Sequence, residues 1–363
     1  MTAESHYLDA LEALDAENRE EALKHARKAV KLDPEHADAW RVISDASLPG
    51  SRLQPTLKQA ASSLSAAKKV VALQPDDLAM WVRGGRLLSD ELGLYMDALQ
   101  WWQDARHHAP EEVTPIVEQA AILADMGLYG EASDRLQSIF DENMDLATTQ
   151  YARVARLHQM CQLASEQPSS EHFKPWEKHH DGWEAIKMRM NKPPISESKI
   201  FLLITTPILM LEVIMAPQLF GSGFGGFCLT SLLILTTVIF GMRISRRWFQ
   251  RLNRPAFNLL RAMDFETATG YVVIPEEIRI SKLFMFILSR RPPAFQDRML
   301  KIVDAKRPSR VIGSRNYQTS LRTKLNSMPF GKKGRMTNSP HLKRNELFRF
   351  LQYNRPCIRF GLL

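Results

Sequence analysis

The chain is 363 residues long, and 45% of its residues are hydrophobic while 24% are charged. This balance is typical of folded globular proteins and excludes a wholly disordered or collagen-like chain. Its three cysteines, Cys161, Cys228 and Cys357, are too few and too widely spaced for a disulfide-stabilised miniprotein. We therefore expect a protein of two to three domains of about 100–200 residues each, in a reducing compartment.

The net charge of +8 is unevenly distributed along the chain. Residues 1–190 contain 20 basic and 31 acidic residues, a net charge of −11. Residues 191–242 contain two of each sign, and residues 243–363 contain 26 basic and 7 acidic residues, a net charge of +19. One hypothesis is therefore self-regulation, in which the basic part docks on the acidic part and a partner competes for it.

Regularly placed prolines indicate a helical repeat in the acidic part. Pro34, Pro75 and Pro110 each end a helical pattern. The prolines are 41 and 35 residues apart, and residues 48–55 look like an insertion in the longer interval. Each proline stands six positions before a large apolar residue: Trp40, Trp81 and Ile116.

A second repeated pattern has a period of 34 residues. Gly93 and Ala98 recur as Gly127 and Ala132, each pair within a similar local sequence. Glycine suits the end of a helix because it adopts the left-handed conformation at little cost. Alanine permits two antiparallel helices to approach closely.

These residues resemble the tetratricopeptide repeat (TPR) family over about residues 3–165. The resemblance implies helix–turn–helix units that form a superhelix with a concave groove for a protein or peptide partner. We expect four domains or segments: a TPR-like repeat domain, a linker with a capping helix, a transmembrane hairpin and a basic cytoplasmic membrane-proximal region. Their predicted bounds are 1–165, 166–198, 199–243 and 244–363.

The repeat register also predicts which side chains line that groove. Only one of them is basic, so a clamp for a C-terminal carboxylate is not expected, and the acidic charge favours a basic or apolar ligand. A merely solvated acidic surface is an equal alternative. The predicted partner-binding residues are Val42, Arg83, Leu87, Asp90, Glu118 and Asp125.

The neutral middle part predicts a transmembrane hairpin. Residues 200–217 contain a single charge and residues 224–242 contain none, and about 20 apolar residues span a bilayer. The short connection contains no Lys or Arg, whereas both outer flanks are basic, which predicts two cytoplasmic termini. Residues 1–10 are polar, so we expect no signal peptide. A pair of buried helices in a soluble protein is the alternative.

Two sequence features of the hairpin bear on its function. Residues 221–226 match the letters GxGxxG, but no strand precedes them, so we interpret them as a flexible loop rather than a nucleotide site. Glu212 lies within the first apolar run, where an ionisable side chain is a functional hypothesis by default. An oligomer contact is favoured over a membrane enzyme or transporter.

The basic part is less informative. We predict a helix over 255–264, a short strand over 270–274, one helix from Glu276 to Leu288 and a final helix over 345–353. The positive charge favours an anionic membrane surface, with RNA or ribosome binding as a less favoured alternative. The predicted lipid-contacting residues are Arg243, Arg246, Arg247, Arg251 and Arg254.

Residue patterns typical of catalysis or metal binding are weak. The sequence contains no GxSxG, HExxH or GxxxxGK[ST] motif. His172, His179 and His180 lack cysteines or carboxylates at zinc-site spacing, so no metal and no cofactor are expected. The prediction is a mainly α protein: a TPR-like solenoid, a two-helix hairpin and a small mixed or irregular region. We expect it to act as a non-catalytic, membrane-anchored scaffold or adaptor.

Overall fold

The computed structural model describes residues 2–50, 53–166, 172–221 and 223–305. These parts are mainly helical and contain no β-strand. They form two compact units. The repeat unit comprises the described residues of Met1–Lys178 and Arg261–Glu276 and those from Met285 onward, and the hairpin unit comprises those of His179–Leu260 and Glu277–Phe284.

The repeat unit begins with a series of helices in which each packs against its neighbours in sequence. A π-helix, Leu87–Glu91, directly follows the α-helix that ends at Arg86. The α-helices are α1 (Ala3–Asp15), α2 (Arg19–Leu32), α3 (Ala37–Ala46), α4 (Leu57–Leu73), α5 (Leu78–Arg86), α6 (Tyr95–His108), α7 (Thr114–Asp125), α8 (Tyr129–Asp141) and α9 (Thr148–Ser165).

Local sequence explains where these helices begin. The prolines precede them, and the indole six positions later donates back to the proline carbonyl: Trp40 to Pro34 at 2.9 Å and Trp81 to Pro75 at 2.8 Å. The same contact in two successive repeats fixes the angle at which the chain enters each helix. After the predicted insertion, Thr56 caps α4 in a reciprocal capping box with Gln59.

The predicted helix-end glycines have the expected backbone. Gly93 has a φ of 62° and Gly127 has a φ of 85°, so both occupy the left-handed region. The alanines that follow them, Ala98 and Ala132, are both 0% exposed at close helix contacts. The sequence prediction for these four positions is confirmed.

Helices from the C-terminal part of the chain complete the repeat unit. Those helices are α13 (Arg254–Thr269), of which the part from Arg261 belongs to this unit, and α16 (Pro293–Asp304). At the Gly93 turn, Phe295 of α16 and Thr267 of α13 lie against the glycine Cα. Arg298 also donates to the carbonyl of Leu92 at 2.8 Å.

The second repeat turn meets the same helix. The Arg261 guanidinium lies near Gly127 and donates to the Tyr129 hydroxyl at 2.9 Å. Arg261 and Thr267 are six residues apart, which is about 9 Å along a helix and similar to the spacing of adjacent helices. Residues 261–276 and 285–305 therefore group with the repeat unit rather than forming a separate region after residue 244, and apolar side chains such as Phe295 are buried there.

The hairpin unit is built around two long helices, α11 (Glu197–Phe220) and α12 (Phe224–Leu252), preceded by α10 (Asp181–Arg189). Ser245 donates to the Glu197 carbonyl at 3.1 Å, and Gly241 lies against Thr205, so the two long helices are antiparallel. At the open end, the buried Asn253 side chain donates to the Ile195 carbonyl at 2.9 Å and accepts from its amide at 3.0 Å.

Two local predictions are wrong. Residues 270–274 form no strand, because the buried carboxylate of Glu266 accepts from the amides of Val273 and Ile274 at 2.6 and 2.7 Å. The helix predicted from Glu276 to Leu288 is divided into α14 (Glu276–Arg279) and α15 (Lys282–Leu288). Ser281 causes this break by accepting from the Phe284 amide at 3.1 Å.

The capping helix predicted within residues 166–198 corresponds to α10, which begins at Asp181 after His180 accepts from the Gly182 amide at 3.0 Å. In the preceding segment, Trp176 packs against the Phe265 ring, with the two ring centres 5.4 Å apart. The helix predicted over 345–353 lies outside the described residues.

Candidate functional site

Two of the predicted groove residues are core residues in the structure. Val42 and Leu87 are each 5% exposed and pack among other apolar side chains of the repeat unit. Their side chains have little surface left for a partner. Of the six residues predicted to bind a partner, the four charged ones therefore remain: Arg83, Asp90, Glu118 and Asp125.

Two of these charged positions form ion pairs between successive repeats. Arg83 lies 3.2 Å from Asp45, and Glu118 lies 3.1 Å from Arg153. Equivalent pairs connect Arg41 with Asp77 at 2.7 Å and Arg106 with Glu142 at 2.9 Å. Partners in all four pairs are 35–38 residues apart in sequence, close to one repeat. A partner that binds Arg83 or Glu118 must therefore compete with an existing contact.

Asp90 belongs to the π-helix that extends α5. It accepts from the Ser89 hydroxyl at 2.8 Å. Burial raises the pKa of its neighbour Glu91, and the adjacent Asp90 carboxylate raises that pKa further. π-Helices are frequent at functional positions because they project side chains out of the regular helical register. This turn therefore concentrates two acidic groups beside the repeat core.

Asp125 lines a small pocket at the Gly127 turn. The pocket has a volume of about 130 Å³. A water molecule occupies about 30 Å³, so the pocket suits a few waters or one small apolar group. Its wall includes Tyr95, Asp125, His172, Trp176, Arg261 and Phe265.

Ion pairs and hydrogen bonds hold the wall of this pocket rigid. Arg261 donates to the Tyr129 hydroxyl at 2.9 Å and to the Phe173 carbonyl at 3.3 Å. Asp264 forms a largely buried ion pair with Arg291. Sequence reasoning named Asp125 but missed the other wall residues, because they come from segments far apart in the chain.

A shallower hollow, also missed from sequence, lies between α2, α3 and α4. Its volume is about 390 Å³. Trp40, the large apolar residue six positions after Pro34, lines this hollow and is half-buried. The lining residues are Arg27, Val30, Lys31, Trp40, Ile43, Ser62, Ser65 and Ala66.

The long helices of the hairpin unit present apolar side chains in nearly every direction. Both are long and apolar enough to cross a membrane. Of the 18-residue apolar stretch in each helix, only 18% is buried in α11 and only 11% in α12. Leu203 is 78% exposed and Phe224 is 85% exposed. This apolar surface is far larger than the isolated exposed leucines of an ordinary soluble domain.

Polar contacts occur along the seam between α11 and α12. Thr237 donates to Glu212, so the carboxylate that sequence analysis singled out has a partner within the hairpin. Gly241 sits where a Cβ atom would meet the Thr205 hydroxyl at 2.4 Å. The close packing of α11 on α12 at this point therefore depends on Gly241 having no side chain opposite the Thr205 hydroxyl.

The five predicted lipid-contacting arginines follow the apolar part of α12. All five are exposed, and Arg246 lies 3.1 Å from Glu197. The helix has 29 residues and is about 43 Å long, whereas a hydrocarbon core is about 30 Å thick. The arginine-rich turns up to Leu252 therefore extend beyond the length needed for a crossing.

The histidines considered from sequence have other contacts. His180 caps α10, and the His172 ring packs on Tyr129 with centres 5.3 Å apart. Among the described residues, the group of side chains close enough to share a metal ion is His6, Asp9 and His25, which sequence reasoning missed. These residues are 19 positions apart at most, and the packing of α1 on α2 brings them together.

Comparison with known proteins gives no assignment. No protein-family model matches the chain, and no curated protein matches it. The TPR resemblance therefore stays a prediction from sequence.

Proposed function

We propose that the protein is a membrane-anchored, TPR-like scaffold that holds a protein partner at the cytoplasmic face of the membrane. The observation that carries this proposal is the exposed apolar surface of α11 and α12. Burying such side chains in lipid is favourable by about 25 cal/mol per Å². The scaffold role rests on the helical repeats and requires no catalytic group.

The chain segments that make up the repeat unit support a hairpin rather than a single membrane crossing. This unit contains segments from both before and after α11 and α12. Segments that fold together must lie on the same side of a membrane. Two crossings satisfy this condition, and one crossing does not.

The arginines after α12 support a cytoplasmic location for the repeats. Lys and Arg near the ends of spans are retained on the cytoplasmic side. Each such residue near anionic lipid contributes about 1 kcal/mol of attraction. Arg243, Arg247 and Arg251 are exposed and suitably placed on the final turns of α12.

The acidic charge of the repeats supports a partner with a basic or apolar binding segment. Asp90 and Asp125 lie at two successive repeats, beside the π-helix and the small pocket. We propose that these two positions contact the partner.

Fractionation tests the anchor. After lysis without detergent, the full chain should sediment with membranes, resist an alkaline wash and enter solution in mild detergent. Arginine at the exposed Leu211, Leu232 and Leu235, which lie near the middle of their apolar runs, should release it, because each charge at mid-bilayer costs about 2.5–3.5 kcal/mol.

A matched control uses exposed leucines of the repeat unit. Leu8, Leu32 and Leu73 are 55%, 58% and 37% exposed, and their replacement by arginine should leave the protein in the membrane fraction. A wild-type chain that remains in the supernatant overturns the anchor. Material that sediments but resists detergent is aggregated, and it counts against the proposal as well.

Cross-linking and affinity capture of the full chain tests the partner surface. The combined change Asp90→Lys and Asp125→Lys should reduce capture of the same partner at least tenfold. The exposed Asp104 and Glu111, changed to lysine, control for net charge. Equal capture by the two double variants would show that the acidic turns do not form the binding surface.

A further inference from the structure

Three side chains of α1 and α2 direct potential metal ligands toward one point. His6, Asp9 and His25 each offer one ligand atom, and these three atoms lie within 4.8 Å of one another. Asp9 Oδ2 is 3.1 Å from His25 Nδ1 and 3.7 Å from His6 Nδ1. Ligand atoms of a tetrahedral zinc site, with bonds of about 2.0–2.1 Å, are about 3.4 Å apart. Both distances from Asp9 to the histidines are already close to that value.

The same three atoms are buried and lack hydrogen-bond partners among the residues that the structure describes. Buried polar atoms in folded proteins are almost always satisfied by a hydrogen bond, a water or an ion. An ion pair between Asp9 and His25 would explain two of the atoms. A single cation explains all three.

Helix geometry presents the ligands without strain. His6 and Asp9 are three residues apart on α1 and therefore share one face of that helix. His25 comes from the adjacent turn of α2. His6 is 9% exposed, so the site is anchored in the interface between the two helices.

A second carboxylate orients His25. Glu21 Oε1 is 3.2 Å from His25 Nε2, on the opposite side of the ring from Nδ1. Lys24 Nζ donates to the same Glu21 oxygen at 2.9 Å, which helps to hold the carboxylate in place. Metal-binding histidines commonly donate their other N–H to a carboxylate, which fixes the ring and increases its basicity.

We propose that His6, Asp9 and His25 bind one Zn²⁺ ion that cross-links α1 to α2, with Glu21 as the residue that positions His25. Two imidazoles and one carboxylate favour zinc and similar transition metals over Mg²⁺ or Ca²⁺, which prefer oxygen ligands. Three protein ligands leave a fourth position for water or for a donor group of a partner. This site is independent of the membrane anchor and of the acidic turns.

Metal titration of the full chain tests the proposal. The protein is purified in mild detergent without a polyhistidine tag, treated with a chelator and titrated with Zn²⁺ alone by calorimetry. We expect one Zn²⁺ per chain and a higher melting temperature on binding. Co²⁺ as a spectroscopic substitute should give the visible absorption of a four- or five-coordinate site.

Variants assign the ligands. His6→Gln and His25→Gln should each weaken Zn²⁺ binding at least tenfold. Glu21→Gln should weaken it about 10–100-fold, as second-layer carboxylates do. His36→Asn is the matched control, because His36 lies outside the proposed site, where its ring packs on Tyr7 and pairs with the Glu4 carboxylate at 3.3 Å. Asn preserves the helix cap that His36 provides to α3.

The outcomes are distinct. The proposal is overturned if the wild type binds no zinc, or if His25→Gln and His36→Asn bind it equally. If His6→Gln does not fold, the exposed Glu21→Gln variant decides, with its helical circular dichroism compared to the wild type without metal. Loss of zinc binding there supports the site, and unchanged affinity counts against it.

Discussion

Single residues determine how neighbouring elements meet, and the two repeat-turn glycines illustrate this. Gly93 and Gly127 are equivalent in sequence and both are left-handed. Their surroundings differ. A Cβ atom at Gly93 would lie 2.8 Å from Phe295 and 2.9 Å from Thr267, whereas at Gly127 the nearest atom is 3.8 Å away.

Alanine substitution at the two glycines should therefore have unequal effects. The left-handed conformation costs an alanine about 1–2 kcal/mol at either site. Gly93→Ala adds an overlap worth about 1–3 kcal/mol, because Phe295 is 1% exposed and Thr267 is 0% exposed. In thermal melts of the full chain in detergent, Gly93→Ala should lower the melting temperature about twice as much as Gly127→Ala. Equal decreases would show that α16 packs loosely on this turn.

Sequence predicted the backbone of these glycines but not their neighbours. The left-handed φ follows from local geometry, which a repeat pattern reveals. Phe295 lies 202 positions after Gly93, and no local pattern connects the two. The same reason explains why Val42 and Leu87 were mistaken for groove residues. A register identifies the face of a helix, but not whether another helix covers it.

At the scale of elements, the π-helix after α5 is a local irregularity with an electrostatic consequence. Burial raises the pKa of Glu91 within it. The folded state therefore binds a proton at Glu91 more tightly than the unfolded chain does. The stability due to this group is fully present below its unfolded pKa, about 4.3, and is lost as the pH rises through the higher folded value.

Glu91→Gln should remove this pH dependence. The melting temperature of the variant, relative to the wild type, should be more favourable at pH 8 than at pH 4. Glu111→Gln, at an exposed position, provides the control and should show no such trend. If the melting temperatures of Glu91→Gln and the wild type differ by the same amount at both pH values, the folded chain does not disfavour the charged carboxylate.

Elements were predicted well where their signals were local. The prolines and the repeated glycines indicated helical repeats where α2 to α9 lie, and the two apolar runs indicated α11 and α12. The errors came from side-chain contacts that compete with a plausible pattern. Glu266 binds the amides that a strand over 270–274 would use, and Ser281 interrupts a run of apolar residues that reads as one helix.

At the scale of the whole molecule, charge and hydrophobicity together make a directional prediction. The acidic repeats and the arginines after α12 should lie on one side of the membrane, and the short connection before α12 on the other. The basic region from residue 306 onward, which sequence analysis favoured for lipid or RNA contact, lies outside the described residues.

Cysteine labelling of sealed cells tests this orientation. In a background without native cysteines, Gly223→Cys should react with a membrane-impermeant maleimide from outside, because nothing lies within 4 Å of its position. Asp15→Cys, exposed on α1, should react only after lysis. The reverse pattern would show that the arginines do not set the orientation.

Because the repeat unit is made of segments far apart in the chain, its parts can pack together only in a certain order during synthesis. The turns at Gly93 and Gly127 receive α13 and α16 only after the two long apolar helices have been translated. At about 5–20 residues per second, a ribosome needs roughly 6–25 s to progress from residue 178 to residue 305. During this interval the edge of the nascent repeats stays uncovered, so a chaperone or a partner that arrives early can reach a surface that the finished protein hides.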